Sequence, residues 1–490
     1  MVAVLPTPIH EPSIQRTFIR SVAWTGVARW CAQGLTWAST LVVARLLAPE
    51  DYGVVAAAAV FTGFVAILSE FGVGITIVTL RDLTRAQIAQ LNGLSILLGV
   101  GAFATVAGSA PAIAALYARP ALIPVIVVMA TTFLLAGART VPAALLQRDL
   151  KFKRIAAIEG TQAIAGAAAT LATAFAGWRY WSLVAGIVSG ACLWTAMTVT
   201  VRPVSFARPR RLVLAEALTF TRYQLMGTIA WYCYSNADFV VAGRVLGAAP
   251  LGVYSMAWTL ARIVPERLAA VVMRLTPAFF SAIQHDRKAL RHWLYQLTEA
   301  VSVTTFPALI GLAVIADDAV PLAAGPQWRA AVLPVRLLAI YGAFDVSAQL
   351  VTRALVAAGD SRFTARVGLV LLFSLPPVFV AGAAWGPSGI ALAWVMVAPV
   401  IRSALWVRAT SLLGVRFREH ARALWPAASA TLLMSAATIG ASTISRTWAL
   451  GARTMFEVFV GACVYAAAIL VLHRDRAAAW RRGWVRCDVT

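Results

Sequence analysis

The chain has 490 residues, of which 60% are hydrophobic and 13% charged, with a formal net charge of +22. Soluble chains carry about 25% charged residues, so the composition excludes a water-soluble fold. The Lys/Arg excess reads as the basic loops of a membrane protein, and no nucleic-acid partner is expected. Long Ala-, Leu- and Val-rich runs without period-2 alternation exclude a porin-type barrel and predict an all-α polytopic membrane protein.

Residues 1–20 lack an apolar core followed by a small-residue cleavage site, so no removable signal peptide is expected. Fourteen apolar spans follow, at about 21–47, 53–80, 88–116, 121–147, 155–177, 180–201, 218–247, 251–280, 294–316, 330–357, 363–384, 388–412, 424–445 and 453–473. Each approaches the about 20 residues that a crossing needs; twelve is the alternative count if one span is re-entrant. Lys and Arg crowd every second loop, as in Arg81 and Arg85, Arg148 to Arg154, Arg287 to Arg291, and Arg474 to Arg486. The intervening loops hold mostly single arginines (Arg119, Arg179, Arg329) together with Glu50, Asp51, Asp317 and Asp318. By the positive-inside rule both termini are cytoplasmic.

Residues 40–53, TLVVARLLAPEDYG, align without a gap with 239–252, FVVAGRVLGAAPLG, placing Val42 on Val241, Arg45 on Arg244, Leu47 on Leu246 and Gly53 on Gly252. A second echo sets PAALLQRDLKF (142–152) on RALVAAGDSRF (353–363), with Asp149 on Asp360 and Lys151 on Arg362. The offset grows from 199 to 211, so the second copy carries 12 extra residues, expected in the 316–330 loop. Both copies start on spans of the same direction, which makes the repeat parallel. The expected organisation is a cytoplasmic segment 1–20, an N-lobe 21–201 of six helices, a basic, partly amphipathic cytoplasmic linker 202–217, and a C-lobe 218–412 of six helices. A two-helix appendage within 413–473 and a basic cytoplasmic tail 474–490 complete it. Two pseudo-symmetric lobes of this kind surround a central cavity.

A charge at the centre of a spanning helix costs on the order of 3 kcal/mol, so those that persist face a cavity or a partner. In the eighth span Ser255, Thr259, Arg262 and Glu266 form one polar stripe, interrupted by the kink expected at Pro265. Arg29 heads a similar stripe in the first span, and Arg139, Arg267, Arg274, Asp345 and Arg353 add further charges. Glu70, Glu159 and Asp238 supply carboxylates. Two readings stand beside each other: a cationic cavity, or internal pairs such as Arg262 with Glu266 one turn apart and arginines that snorkel from helix ends. Asp238 falls on Ser39 in the repeat and so serves one lobe only, whereas Arg45 and Arg244 serve both and suit the capping of helix C-terminal carbonyls. The five cysteines make no metal-site spacing. Walker, G-x-S-x-G and H-E-x-x-H motifs do not occur, so neither catalysis nor a cofactor is expected.

The ordered pieces LVVARLLAPEDYGVVAAAAVF, LSEFGVGITIV, ALLQRDLKFKRIAAIE and YSNADFVVAGRVLGAAPLGVYSMAWTLARIVPERL resemble the polysaccharide-unit flippases of the multidrug/oligosaccharidyl-lipid/polysaccharide exporter superfamily, over about residues 13–410. The resemblance implies a translocase of the bacterial inner membrane that passes a polyprenyl-pyrophosphate-linked oligosaccharide between leaflets by alternating access. Membrane lipids and other polysaccharide-assembly proteins (polymerase, export machinery) are its expected partners. Arginine forks suit pyrophosphate, which makes Arg29, Arg139, Arg262 and Arg274 the expected headgroup ligands and Trp258 the expected sugar-stacking face. Asp238, Glu70 and Glu266 are the candidates for a coupling ion or a gate. A small-solute exporter of the same superfamily is the rival reading, disfavoured by the excess of arginine over acid. A membrane glycosyltransferase would need a large outer loop that this chain lacks.

The charge census is directly testable. Single cysteines introduced by Lys288→Cys and Arg418→Cys should react with an impermeant thiol reagent only from the cytoplasmic side, and Arg119→Cys and Arg329→Cys only from the opposite side. Labelling with the sides exchanged would overturn the orientation.

Overall fold

The computed structural model describes residues 36–70, 73–79, 83–209, 228–264 and 279–476, together with residues 34, 276 and 478. All its regular elements among these residues are helical. In chain order they are α1 (36–46), α2 (Pro49–Glu70), α3 (Val73–Thr79), α4 (Arg85–Leu116), α5 (Leu122–Arg148), α6 (Phe152–Phe175), α7 (Trp181–Val201) and α8 (228–241). Then come α9 (Ala248–Val264), α10 (Arg287–Ala324), α11 (Val332–Ala357), α12 (Ser361–Gly382), α13 (Gly386–Leu413), α14 (Phe417–Ile444) and α15 (Leu450–Leu472). Ten stretches of the described residues are long and apolar enough to cross a bilayer, and one of them, Ser361–Leu413, holds two helices. The chain is an all-α, multi-pass membrane protein.

Helix starts and stops follow local chemistry. Thr84 and Gln87 form a capping box before α4, the Thr84 N–H donating to Gln87 Oε1 at 2.8 Å and the Gln87 N–H to Thr84 Oγ1 at 3.3 Å. Asp286 caps α10 by accepting from the backbone N–H groups of Lys288 and Ala289. Within the spans, hydroxyls return to the preceding turn, as in Thr140 to the Ala136 carbonyl and Thr305 to the Val301 carbonyl, both at 2.8 Å. These hydroxyls meet their hydrogen bonds within their own helix, as an apolar surrounding requires.

The chain divides into two compact units: Met1–Leu47, Phe61–Ala115 and Arg119–Leu225 form one, and Ala48–Val60, Leu116–Ala118 and Met226–Thr490 the other. In the first unit, Val73, Ile77, Leu91, Leu94, Val141, Ala144 and Leu145 make a core among α3, α4 and α5. Residues 203–209 run without regular structure against α4, where Asn92 Nδ2 donates to the carbonyls of Val204 and Ser205 and the Ala207 N–H to the Ala89 carbonyl. The rest of the expected linker lies outside the described residues.

In the second unit α10 is longer than expected. It runs unbroken to Ala324 and is followed by a short 3-10 turn, Pro326–Ala331. Asp317 and Asp318, read from sequence as loop residues, are therefore helical, paired with Arg336 and Arg453. Part of the length added to the second repeat is helix, 38 residues in α10 against 32 in α4. The last two helices, expected as an appendage, belong to this unit. Arg453 bridges Asp318 and Glu457 at 2.7 and 3.1 Å, Tyr465 donates to the Val303 carbonyl at 2.7 Å, and Arg476 meets Glu299 at 2.7 Å. These contacts fasten α15 and the residues after it to α10 between Glu299 and Asp318.

Both echoes of the repeat have structural counterparts. Asp149 pairs with Arg202 after α7, and Asp360 pairs with Arg408 in α13. More telling is the contact at the start of α2 and α9, inside the second unit. A Cβ on Gly53 would lie 1.8 Å from the Ala248 carbonyl oxygen, and one on Gly252 would lie 1.7 Å from the Pro49 carbonyl oxygen. Pro49 and Ala248 are themselves equivalent positions in the repeat, so the contact is reciprocal. Backbone meets backbone here, and no flexible side chain can give way. Substituting Gly53→Ala or Gly252→Ala must push these helix starts apart, and forced overpacking costs about 1–3 kcal/mol or more. Either change should lower the melting temperature of the detergent-purified protein, whereas Gly101→Ala, in open space, should leave it unchanged. A wild-type melting curve for Gly53→Ala would refute the contact.

Candidate functional site

A cavity of about 660 Å³ lies within the second unit, framed by residues of α8, α9, α11, α12 and α13. Its construction starts from Asp238, which is fully buried. One carboxylate oxygen accepts from the Tyr254 hydroxyl at 2.6 Å, from Trp394 Nε1 at 2.9 Å and from Trp258 Nε1 at 3.0 Å. The other oxygen accepts from the Phe239 N–H at 2.9 Å. Tyr254 and Trp258 stand four apart on α9 and so share a face, while Trp394 comes from α13; one acid on α8 thus fastens two other helices. All four donors are neutral.

A second acid sits on the cavity wall in a different setting. Asp345 of α11 is paired with Arg402 of α13 and also accepts from the Tyr341 hydroxyl at 3.2 Å and from Gln349 Nε2 at 2.7 Å. Arg402 is buried, and an ion pair taken out of water holds only when both partners are matched. The two clusters touch through aromatic rings. Trp394 lies 5.0 Å from Tyr341 between centroids, and Trp258 meets Trp394 and Tyr341 edge to face at 5.9 and 6.3 Å. The wall also carries Arg262, Arg353, Trp231 and Asn236.

Three residues expected from sequence, Asp238, Trp258 and Arg262, therefore meet in one place. The Arg262 guanidinium lies 5.7 Å from the centre of the Trp258 ring. Arg139 belongs to the first unit, where its guanidinium stands 4.1 Å over the Trp194 ring. Arg29, Arg274 and Glu266 lie outside the described residues, as does the side chain of Glu70, whose backbone ends α2. The pairing of Arg262 with Glu266 falls outside them as well. Ser39, the repeat counterpart of Asp238, donates instead to the Ala167 carbonyl at 3.4 Å within the first unit. The helix end at Arg244 is not closed by that side chain: it passes into a π-turn, Ala242–Leu246, and stops at Gly247, whose φ of +89° favours glycine.

Sequence reasoning passed over Tyr254, Trp394 and Arg402. Arg402 carries the signal used for Arg262, an arginine inside the apolar run VMVAPVIRSALWV. Tyr254 and Trp394 carry none, because seventeen Trp and ten Tyr give a plentiful background.

Comparison with known proteins accords with this architecture. The lipopolysaccharide biosynthesis protein WzxC of Escherichia coli (strain K12) is 26% identical over 431 residues, covering 84% of this chain and 85% of WzxC. The succinoglycan biosynthesis transport protein ExoT of Rhizobium meliloti (strain 1021) is 26% identical over 337 residues, 66% of each chain. Among solved structures, the lipid II flippase MurJ in an inward closed conformation shares the fold, with a TM-score of 0.73 at 10% identity over 93% of this chain and 100% of that one. The family model described as polysaccharide biosynthesis protein matches residues 42–333. More than half of the chain lies within that match, and the chain belongs to this family of polysaccharide biosynthesis proteins.

Proposed function

We propose that the chain is a flippase that carries a polyprenyl-pyrophosphate-linked oligosaccharide from the inner to the outer leaflet of a bacterial inner membrane by alternating access, for the assembly of surface polysaccharide. The observation that supports this most is the cavity itself. A membrane-embedded unit of a polysaccharide biosynthesis protein encloses arginines and aromatic side chains around about 660 Å³, a size within the range of small-molecule sites. Arg262 is the described residue best suited to the pyrophosphate, through the planar fork of its guanidinium, with Arg29, Arg139 and Arg274 as the further candidates. The resemblance to WzxC and ExoT, one named for lipopolysaccharide biosynthesis and the other for succinoglycan transport, supports a glycan cargo. In this reading both termini are cytoplasmic, residues 21–201 and 218–412 are the two lobes, and polysaccharide-assembly proteins receive the cargo at the outer face.

Asp238 is proposed as the coupling or gating acid, with Glu70 and Glu266 as further carboxylates for that role. Its four donors are neutral, so the charge balance of the cluster changes when a cation or a proton arrives. Three of these hydrogen bonds, from Tyr254, Trp258 and Trp394, hold the helices in register, which ties coupling to packing.

The test is complementation of a deletion strain. Arg262→Ala should reduce surface polysaccharide by about tenfold or more, the equivalent of one lost charge-assisted hydrogen bond, while lipid-linked oligosaccharide accumulates on the inner leaflet and membrane abundance stays normal. Unchanged surface glycan with reduced dye efflux would replace the flippase with an exporter of another class. Asp238→Asn places an amide N–H among donors. At matched abundance it should slow translocation by about tenfold or more, and intact translocation would remove the coupling role.

A further inference from the structure

The cavity wall separates its aromatic side chains into two kinds. The indole N–H groups of Trp258 and Trp394 are given to Asp238, the Tyr341 hydroxyl to Asp345 and the Tyr232 hydroxyl to the Val60 carbonyl. Arg262 lies toward the face of Trp258. These rings are committed to the wall. Trp231 differs: it borders the same cavity, is 48% exposed, and its indole makes no hydrogen bond among the described residues. A large exposed aromatic at a cavity wall is a platform without a load.

Hydrogen-bonding groups stand on a neighbouring wall. Along α11, Asp345, Gln349 and Thr352 follow at helical spacing and line the cavity. Gln349 gives its amide N–H to Asp345, which leaves its carbonyl oxygen as an acceptor. On α8, Asn236 gives its N–H groups to the Tyr232 carbonyl and to Ser235 Oγ and likewise keeps its carbonyl oxygen. Acceptors on fixed stems beside an open aromatic face suit a ligand with hydroxyl donors around an apolar ring face. A sugar ring has that chemistry; an acyl chain has no donors for the amide carbonyls. A lipophilic cation is the other natural guest of an aromatic wall, but here Asp345 is already matched by Arg402 and Asp238 is fully buried beneath its donors.

We propose that this cavity holds a saccharide subsite, distinct from the pyrophosphate ligand Arg262, in which Trp231 stacks on a sugar ring and the carbonyl oxygens of Gln349 and Asn236 accept from its hydroxyls. The proposal rests on the flippase reading and gives the glycan and the carrier separate ligands. The stacking position expected from sequence at Trp258 moves to Trp231, because Trp258 is held by Asp238 and Arg262.

The experiment uses full-length protein in nanodiscs and two probes. One is the strain's own repeat-unit oligosaccharide, released from its lipid by mild acid; the other is undecaprenyl pyrophosphate without sugar. Trp231→Ala should weaken oligosaccharide binding about tenfold and leave binding of the sugarless carrier within about twofold. Trp231→Phe should recover most of the loss, and Gln349→Ala should weaken the oligosaccharide alone. Arg262→Ala should show the opposite pattern. Wild-type oligosaccharide binding by Trp231→Ala, or an equal loss of both probes, overturns the subsite while leaving the flippase reading in place. Binding of neither probe by the wild-type protein overturns both.

Discussion

A carboxylate inside an apolar helical bundle has to find its hydrogen bonds there, and the second unit is arranged around that requirement. Asp238 draws a phenol and two indoles from α9 and α13 onto a single oxygen. An unmet donor of this kind costs about 1–3 kcal/mol, so the tilt and rotation of both helices are constrained by where that oxygen lies. The rings held in this way are also the cavity wall. Trp258 and Trp394 stand edge to face because both answer to Asp238, and Tyr341, packed against both, carries the arrangement on to Asp345. Support and lining are the same side chains.

The two acids solve the problem of buried charge by different means. Asp345, partly exposed on the cavity wall, has a counter-charge in the buried Arg402. Asp238 has only neutral donors. Neither carboxylate is therefore open to the cavity without competition: one is ion-paired and the other lies beneath its donors.

The helices were legible because lipid demands about 20 apolar residues per crossing, a signal that survives errors of several residues at each end. Where the reading failed, the reason is tertiary. Asp317 and Asp318 look like loop residues from their charge, yet α10 continues through them because Arg336 and Arg453 meet them from elsewhere in the chain. Within the site, Asp238 and Arg262 declared themselves as charges in apolar surroundings. Tyr254, Trp394 and Tyr341 could not, since nothing in the spacing of an aromatic says whether it faces lipid or hydrogen-bonds an acid 16 or 156 residues away. Trp258 stood out by its place on α9, but its hydrogen bond to Asp238 did not.

The glycine contact between 49–53 and 248–252 has a bearing on how such a chain arose. Each glycine touches the residue equivalent to the one that its counterpart touches, which is the pattern of an isologous interface about a two-fold axis. A chain half as long, carrying one copy of the segment, could close the same contact with an identical partner. Within one chain the same contact does not require both sides to be the same. Asp238 standing where the other copy has Ser39 shows what that release permits: one half keeps a neutral hydroxyl, and the other acquires a charge that a symmetric dimer would have had to bury twice.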